Sequence, residues 1–343
     1  MVDRKVAVLR ADASSSIGVG HVMRSLSLGE ALLDEGFGVE LVSFELTPDL
    51  QSLATECGIN VVELPCAPRS GQDAQFVLQR KAAIVVVDGY EFSREFFKVL
   101  EESNTPFAVI DDNAETQAHS PSAVINQNPH ASAEMYSQMQ GNPELLLGIQ
   151  YALVRKEVRD IAAQHLHTRE GEVFIAMGGA DFLGLTSQIV EALAETGLHV
   201  RVAVGHANNR RTEVQQLADR YSNVTLIEQH EYVSSLAGAH VAVLAAGSSL
   251  WEACAVGTPS IGLVVADNQQ AAAYAAAKLG FTRIIDCRVL FNVDAVLREV
   301  EACILGGITA MRASAANVGI ADGVNHVANS ILQLTLDLGG TNG

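Results

Sequence analysis

No apolar run in this 343-residue sequence approaches the roughly 18–20 residues that a membrane helix requires, so insertion into a bilayer is not expected. Basic residues are scarce. The 22 Lys and Arg stand against 40 Asp and Glu, a net charge of −18. Such a chain has no basic face for nucleic acid or an anionic membrane. A small anionic substrate stays compatible, because a local nest of backbone N–H groups can hold phosphate inside an acidic protein. Cysteine is limited to Cys57, Cys66, Cys254, Cys287 and Cys303, an odd number without C-x-x-C spacing. That pattern fits free thiols in a reducing compartment rather than disulfides or zinc. The opening M-V-D-R-K lacks a signal-peptide apolar region, and the protein reads as cytoplasmic. Also missing are H-E-x-x-H, a Walker loop, G-x-S-x-G, and G-x-G-x-x-G at the first strand-to-helix turn. Their absence argues against zinc hydrolases, NTPases, serine hydrolases and dinucleotide dehydrogenases.

What the chain does have is an alternation of apolar runs and amphipathic stretches. Candidate strands are Val6–Arg10, Val39–Ser43, Asn60–Leu64, Ala83–Asp88, Phe107–Asp111 and Ala123–Asn126, with helical patterns near 22–35, 48–57, 72–81 and 93–102. Residues 127–150, punctuated by Pro129, Gly141, Pro143 and Gly148, read as a loop and turn region. A second series of strands begins at Glu172 and runs through Thr282–Ile285, again with helices between. This is the rhythm of parallel sheets covered by helices on both faces. The expected architecture is α/β, with two Rossmann-like doubly wound domains facing a central cleft. The expected divisions are 1–150, a linker at 151–171, a second domain at 172–307, and one helical segment at 308–337 that could pack on either half.

Six stretches could carry chemistry. Residues 10–24, R-A-D-A-S-S-S-I-G-V-G-H-V-M-R, join the first strand to a helix. Gly18 and Gly20 permit close backbone approach, and Asp12, the Ser14–Ser16 run and Arg24 surround them. His21 sits at the helix start, where the field disfavours an imidazolium, so a neutral ring able to accept a proton is expected. Asp88-Gly89-Tyr90 ends a buried strand, where open α/β sheets bind ligands, and Tyr90 could hydrogen-bond a sugar or phosphate. Asp111-Asp112-Asn113 reads as structural or substrate-orienting rather than a metal site, for want of further ligands. Met177-Gly178-Gly179-Ala180-Asp181 could admit a nucleotide at its glycines, with Asp181 a helix cap. Gly247-Ser248-Ser249 opens a helix in a way that suits a diphosphate. Glu252, one turn in, could take a ribose diol or stand at N3 of a capping box behind a Ser N-cap. Asp267-Asn268-Gln269-Gln270 ends another strand, where Asn268 and Gln269 could read a sugar.

In this order the stretches resemble the nucleotide-sugar enzymes of the GT-B fold, and within them the UDP-2,4-diacetamido-2,4,6-trideoxy-β-L-altropyranose hydrolases of pseudaminic acid synthesis. The resemblance rests on residues 10–24, D-G-Y (88–90), I-D-D (110–112), G-I-Q-Y-A-L-V-R (148–155), M-G-G-A-D (177–181), A-G-S-S-L-W-E (246–252) and D-N-Q (267–269). The G-S-S-x-W-E region is shared more widely, with the muramyl-lipid N-acetylglucosaminyltransferase and spore-coat polysaccharide proteins. The resemblance implies UDP held mainly by the second half. Gly247, Ser248 and Ser249 would take the diphosphate, with Gly178 and Gly179 nearby and Glu252 on the ribose. It implies His21 as the main catalytic residue, Tyr90 and Asn268 near the sugar, and hydrolysis with inversion that uses neither a metal nor a cofactor. Asp12, Gly18, Gly20, Arg24 and Gln269 complete the expected substrate-binding set. One departure is Asp322-Gly323-Val324-Asn325, where the family tends to D-G-x-G. By its residues alone the same site would serve an inverting glycosyltransferase, a 2-epimerase-like reaction, or a nucleotide-sugar binder that does no chemistry.

Overall fold

The structure, a computed structural model, describes residues 4–14, 17–164, 171–178, 181, 183–205, 208 and 210–337. It divides into two units, Met1–Arg155 with Asp322–Gly343, and Lys156–Ala321. In the first, β1 (Val6–Ala11), α1 (Gly20–Asp34), β2 (Gly38–Ser43), α2 (Pro48–Glu56), β3 (Asn60–Glu63), α3 (Gly71–Gln79), β4 (Ile84–Asp88), α4 (Arg94–Glu101), β5 (Phe107–Ile110), β6 (Ala123–Asn126) and β7 (Glu144–Leu147) follow one another. The sheet order is β3-β2-β1-β4-β5-β6-β7, with every pairing parallel. The order reverses between β1 and β4, which places a topological switch point there.

The unbroken apolar runs follow from burial on both faces. Along β1, Leu9 joins one core cluster with Leu41, Ile84, Ile125 and the α1 residues Val22 and Leu26. Its neighbour Val8 joins the other, with Val85, Val87, Val109 and the α4 phenylalanines Phe96 and Phe97. Successive side chains of a strand point to opposite faces, so both must be apolar.

The second unit contains α5 (Lys156–Ala162), β8 (Glu172–Ala176), α6 (Leu185–Glu195), β9 (His199–Ala203), α7 (Arg211–Arg220), β10 (Val224–Ile227), α8 (Tyr232–Gly238), β11 (Val241–Ala245), α9 (Ser249–Ala255), β12 (Ser260–Val264), α10 (Gln270–Leu279), β13 (Thr282–Asp286), α11 (Val293–Ala302) and α12 (Ile308–Val318). Its sheet, β10-β9-β8-β11-β12-β13, is also parallel, with the switch point between β8 and β11.

One expectation is corrected and two gain detail. The region 127–150 is not all loop and turn, since β7 extends the first sheet beside β6. Only Leu146 of its four residues is fully buried, so this edge strand lacks the apolar run that marks the inner ones. The stretch 151–171 holds helix α5, anchored by the fully buried Val158. The segment 308–337 is two helices. Gly319, in the left-handed conformation, ends α12, and α13 (Gly323–Asp337) belongs to the first unit. Val324, Val327, Ala328 and Ile331 of α13 are all fully buried in the cluster that holds Leu9 and Leu26. Their spacing is that of a single helix face. Gly323 seats this helix. A Cβ there would lie 2.5 Å from the Ala152 amide nitrogen and 2.6 Å from its carbonyl oxygen, so no side chain fits between the two backbones.

Among the described residues no single helix is long and apolar enough to cross a membrane. The five cysteines are free thiols, and burial pushes Cys254 up to about 12.

Candidate active site

Sheet register brings the polar residues of the first unit together. Ala11 of β1 pairs with Asp88 of β4, Asp88 with Ile110 of β5, and Ile110 with Ile125 of β6. The segments leaving these neighbouring strands carry Asp88, Asp112 and Asn128, while α1, which follows β1, carries His21 and Arg24. Three residues apart on a helix, His21 and Arg24 share a face.

His21 Nδ1 lies 2.7 Å from Asp88 Oδ1. With Asp88 ionised, Nδ1–H donates to the carboxylate, which fixes the ring and leaves the Nε2 lone pair as its basic position. No hydrogen bond to Nε2 occurs among the described residues. Arg24 holds the carboxylate from its other side. Its Nε donates to Asp88 Oδ2 and its Nη2 to Asp88 Oδ1, both at 2.6 Å. Its Nη1 donates to both oxygens of Asp112, at 2.9 and 2.8 Å. Asp112 also accepts from the Tyr90 hydroxyl at 2.8 Å and from Asn128 Nδ2 at 2.9 Å. The Tyr90 ring stands edge-on to the imidazole, with centroids 4.6 Å apart.

These charges are buried, and buried charges persist only when paired and hydrogen-bonded. Burial opposes ionisation of Asp112, but the Arg24 guanidinium and the Tyr90 hydroxyl outweigh it and lower the carboxyl to about 2. Asp88 is likewise lowered against its burial, by the Arg24 charge and by His21. Arg24 is itself held protonated, its burial outweighed by Asp112 and Asp88. Burial and the Asp112 charge push the Tyr90 phenol up, so it stays a donor to Asp112. Arg24 was expected in the substrate-binding set, and the structure places it between two carboxylates, with all three of its nitrogens donating to them. Residue spacing could not show this, because its partners lie 64 and 88 residues away.

Neighbouring polar residues hold the framework. Asp12 accepts from the fully buried Arg10 at 2.6 Å and from the Phe44 amide at 2.8 Å, tying the end of β1 to the segment after β2. Asp111 accepts from the Asn113, Glu115 and Thr116 amides and so organises its own loop. Gly18 is left-handed and donates to the Ser14 carbonyl. Gly20 begins α1, whose N-terminus no side chain caps. Ser15 and Ser16 lie outside the described residues.

In the second unit the expected nucleotide residues lie just beyond β8, β11 and β12, on both sides of the switch point. The Gly247 N–H is taken by the Ala245 carbonyl at 2.8 Å, so the amides left at this turn are those of Ser248 and Ser249. Ser248 is the N-cap of α9 and its side chain makes no cap hydrogen bond, which puts Glu252 one position beyond the N3 place that a capping box uses. Glu252 is buried, one turn into α9. The Ser249 hydroxyl accepts from Tyr232 at 3.3 Å. Gly178 is exposed and left-handed, and Gly179 lies outside the described residues. Asp181 caps α6 by accepting from the Leu185 and Thr186 amides. Asn268 is exposed, whereas Gln269 Oε1 accepts from the Val265 amide at 2.9 Å and is committed to its own turn. Among the described residues no group of three or more His, Cys, Asp or Glu could hold a metal ion.

Asp88, Asp112 and Asn128 were absent from the expected site residues. The first two lay in stretches already singled out, and their strand-end positions were the available signal. Asn128 carried none, because its partner Asp112 comes from a different strand.

No family model matches the chain. It is 27% identical over 277 residues to the UDP-2,4-diacetamido-2,4,6-trideoxy-beta-L-altropyranose hydrolase of Campylobacter jejuni, covering 80% of this chain and 97% of that one. Among solved structures it is similar to the S. aureus MnaA-UDP co-structure, with a TM-score of 0.67, 12% identity and 97% of each chain covered. It is also similar to MurG of Acinetobacter baumannii, with a TM-score of 0.60, 16% identity, and 96% of this chain and 99% of that one covered. By sequence the chain is thus similar to the Campylobacter hydrolase along most of both, and by architecture it is a two-domain, Rossmann-like α/β protein with the fold of the GT-B nucleotide-sugar enzymes.

Proposed function

We propose that this protein hydrolyses a UDP-linked 2,4-diacetamido-2,4,6-trideoxy sugar with inversion at the anomeric carbon, releasing UDP, in pseudaminic acid biosynthesis. The observation that carries this reading is the His21–Asp88 pair, a histidine oriented by a buried carboxylate at a switch point of the sheet. The similarity to the Campylobacter hydrolase supports it. His21 Nε2 takes a proton from water while the water oxygen bonds to the anomeric carbon. The bond from that carbon to the UDP oxygen breaks, and its electron pair leaves with UDP. The Ser248 and Ser249 amides suit the diphosphate, where N–H donors stabilise the charge that develops on departure. Glu252 suits the ribose diol, and Tyr90 and Asn268 the sugar. The proposed reaction draws on no metal or cofactor.

A second reading, an inverting glycosyltransferase, draws on the structural likeness to MurG. It differs only in that an acceptor hydroxyl replaces water. The deciding experiment supplies UDP-diacetamido sugars without acceptor and follows UDP release and the product anomer by NMR. Release with inversion is the expected result. Release only when an acceptor is added would establish the transferase instead.

A further inference from the structure

We propose that Asp112, acting through Arg24, is a positioning residue that leaves the buried cluster one positive charge short, a charge that the proton taken up by His21 supplies. This rests on reading His21 as the base. Two carboxylates, Asp88 and Asp112, share the single Arg24 guanidinium. Asp88 alone would be matched by Arg24, and Asp112 supplies the excess negative charge. Its other partners, the Tyr90 hydroxyl and the Asn128 amide, are neutral donors and do not cancel it.

The groups around His21 and its carboxylates can be named element by element. From α1 come Arg24 and the uncapped helix N-terminus, whose field opposes an imidazolium. The end of β4 gives Asp88 and the segment after it Tyr90, and the segment after β5 gives Asp111 and Asp112. Asp111 is engaged with amides of its own loop. From beyond β6 comes His130, whose pKa is lowered by burial despite the nearby Asp112 charge. Asp88 Oδ1 lies 2.7 Å from the His21 ring, and Asp112 is held beside it through Arg24, so both negative charges stand close to the proton that arrives. As the proton moves from water to Nε2, the cluster goes from one unmatched negative charge to none.

The test is an NMR titration of the His21 imidazole in the ligand-free full chain, with its signal assigned by loss in His21→Gln. In Asp112→Asn the midpoint should fall by about half a pH unit or more. The acid limb of the kcat/KM profile should move in the same direction. Asn128→Ala removes a hydrogen bond to Asp112 but no charge, and should move the midpoint much less. Should Asp112→Asn not fold, Asp112→Ser removes the same charge with a shorter side chain and should lower the midpoint likewise. An unmoved midpoint in the neutral Asp112 variant, or an equal shift in Asn128→Ala, would each overturn the proposal. The titration needs no turnover, so a chain that releases no UDP defeats the hydrolase reading while the NMR result still decides this one.

Discussion

At the scale of single residues, the candidate site is a set of charges that hold each other in place. His21 was legible as a histidine at a strand-to-helix junction, and Arg24 as its neighbour on the helix face. Their chemistry depends on Asp88 and Asp112, which the chain delivers from two other strands. A base that takes a proton in the rate-determining step contributes about 10²–10⁴ in rate. His21→Ala should therefore lower kcat by about that range while UDP binding, followed by calorimetry, persists. Near-wild-type turnover in that variant would remove His21 from the mechanism. Asp88→Asn should also lower kcat, because an amide oxygen at Nδ1 carries no charge to stabilise the imidazolium and its NH₂ can hold the wrong tautomer. Asp12 shows the limit of reading residue types alone. It was expected in the substrate-binding set, and in the structure it accepts from Arg10 and the Phe44 amide.

At the scale of elements, the inner strands were legible because parallel strands buried on both faces are apolar along their whole length. Ala123–Asn126 was read with the bounds the structure gives to β6. The missed elements are those whose burial is partial. β7 has one fully buried residue, and α5 is short and mostly solvated. The terminal segment was read as helical and able to pack on either half, because an amphipathic pattern does not say which core will receive it. Gly319 and Gly323 divide it, and α13 packs against the core around α1. Gly323→Ala puts a methyl group against the Ala152 backbone, which cannot swing aside as a long side chain can. Forced overpacking typically costs about 1–3 kcal/mol. The variant's denaturant unfolding midpoint should fall accordingly, and an unchanged midpoint would show that the helix can shift without cost.

At the scale of the whole molecule, acidity and burial together predict how stability depends on pH. Asp112 ionises near pH 2 in the folded chain against an ordinary value of 3.8, and Asp88 is lowered too. A carboxyl whose folded pKa is depressed stabilises the fold fully above its unfolded value, and that contribution is lost as pH falls through the folded one. Asp112 should therefore contribute on the order of 2 kcal/mol at neutral pH that disappears between about pH 4 and pH 2. Asp111, raised by burial, acts in the opposite sense, so the difference between wild type and Asp112→Asn isolates the effect. Chemical denaturation at pH 6 and at pH 2.5 should show that difference shrinking with acid, and a constant difference would contradict it. By itself the sequence determined the α/β class, the order of the inner strands and helices, the acidic surface and the loops that end on polar residues. These follow from local pattern and composition. Only the tertiary structure decided that His21, Asp88, Arg24 and Asp112 form one buried network, and that the last helix completes the first unit. Both depend on strand register and on pairings across 64 residues or more, and in a linear chain no local physical signal encodes such a partner.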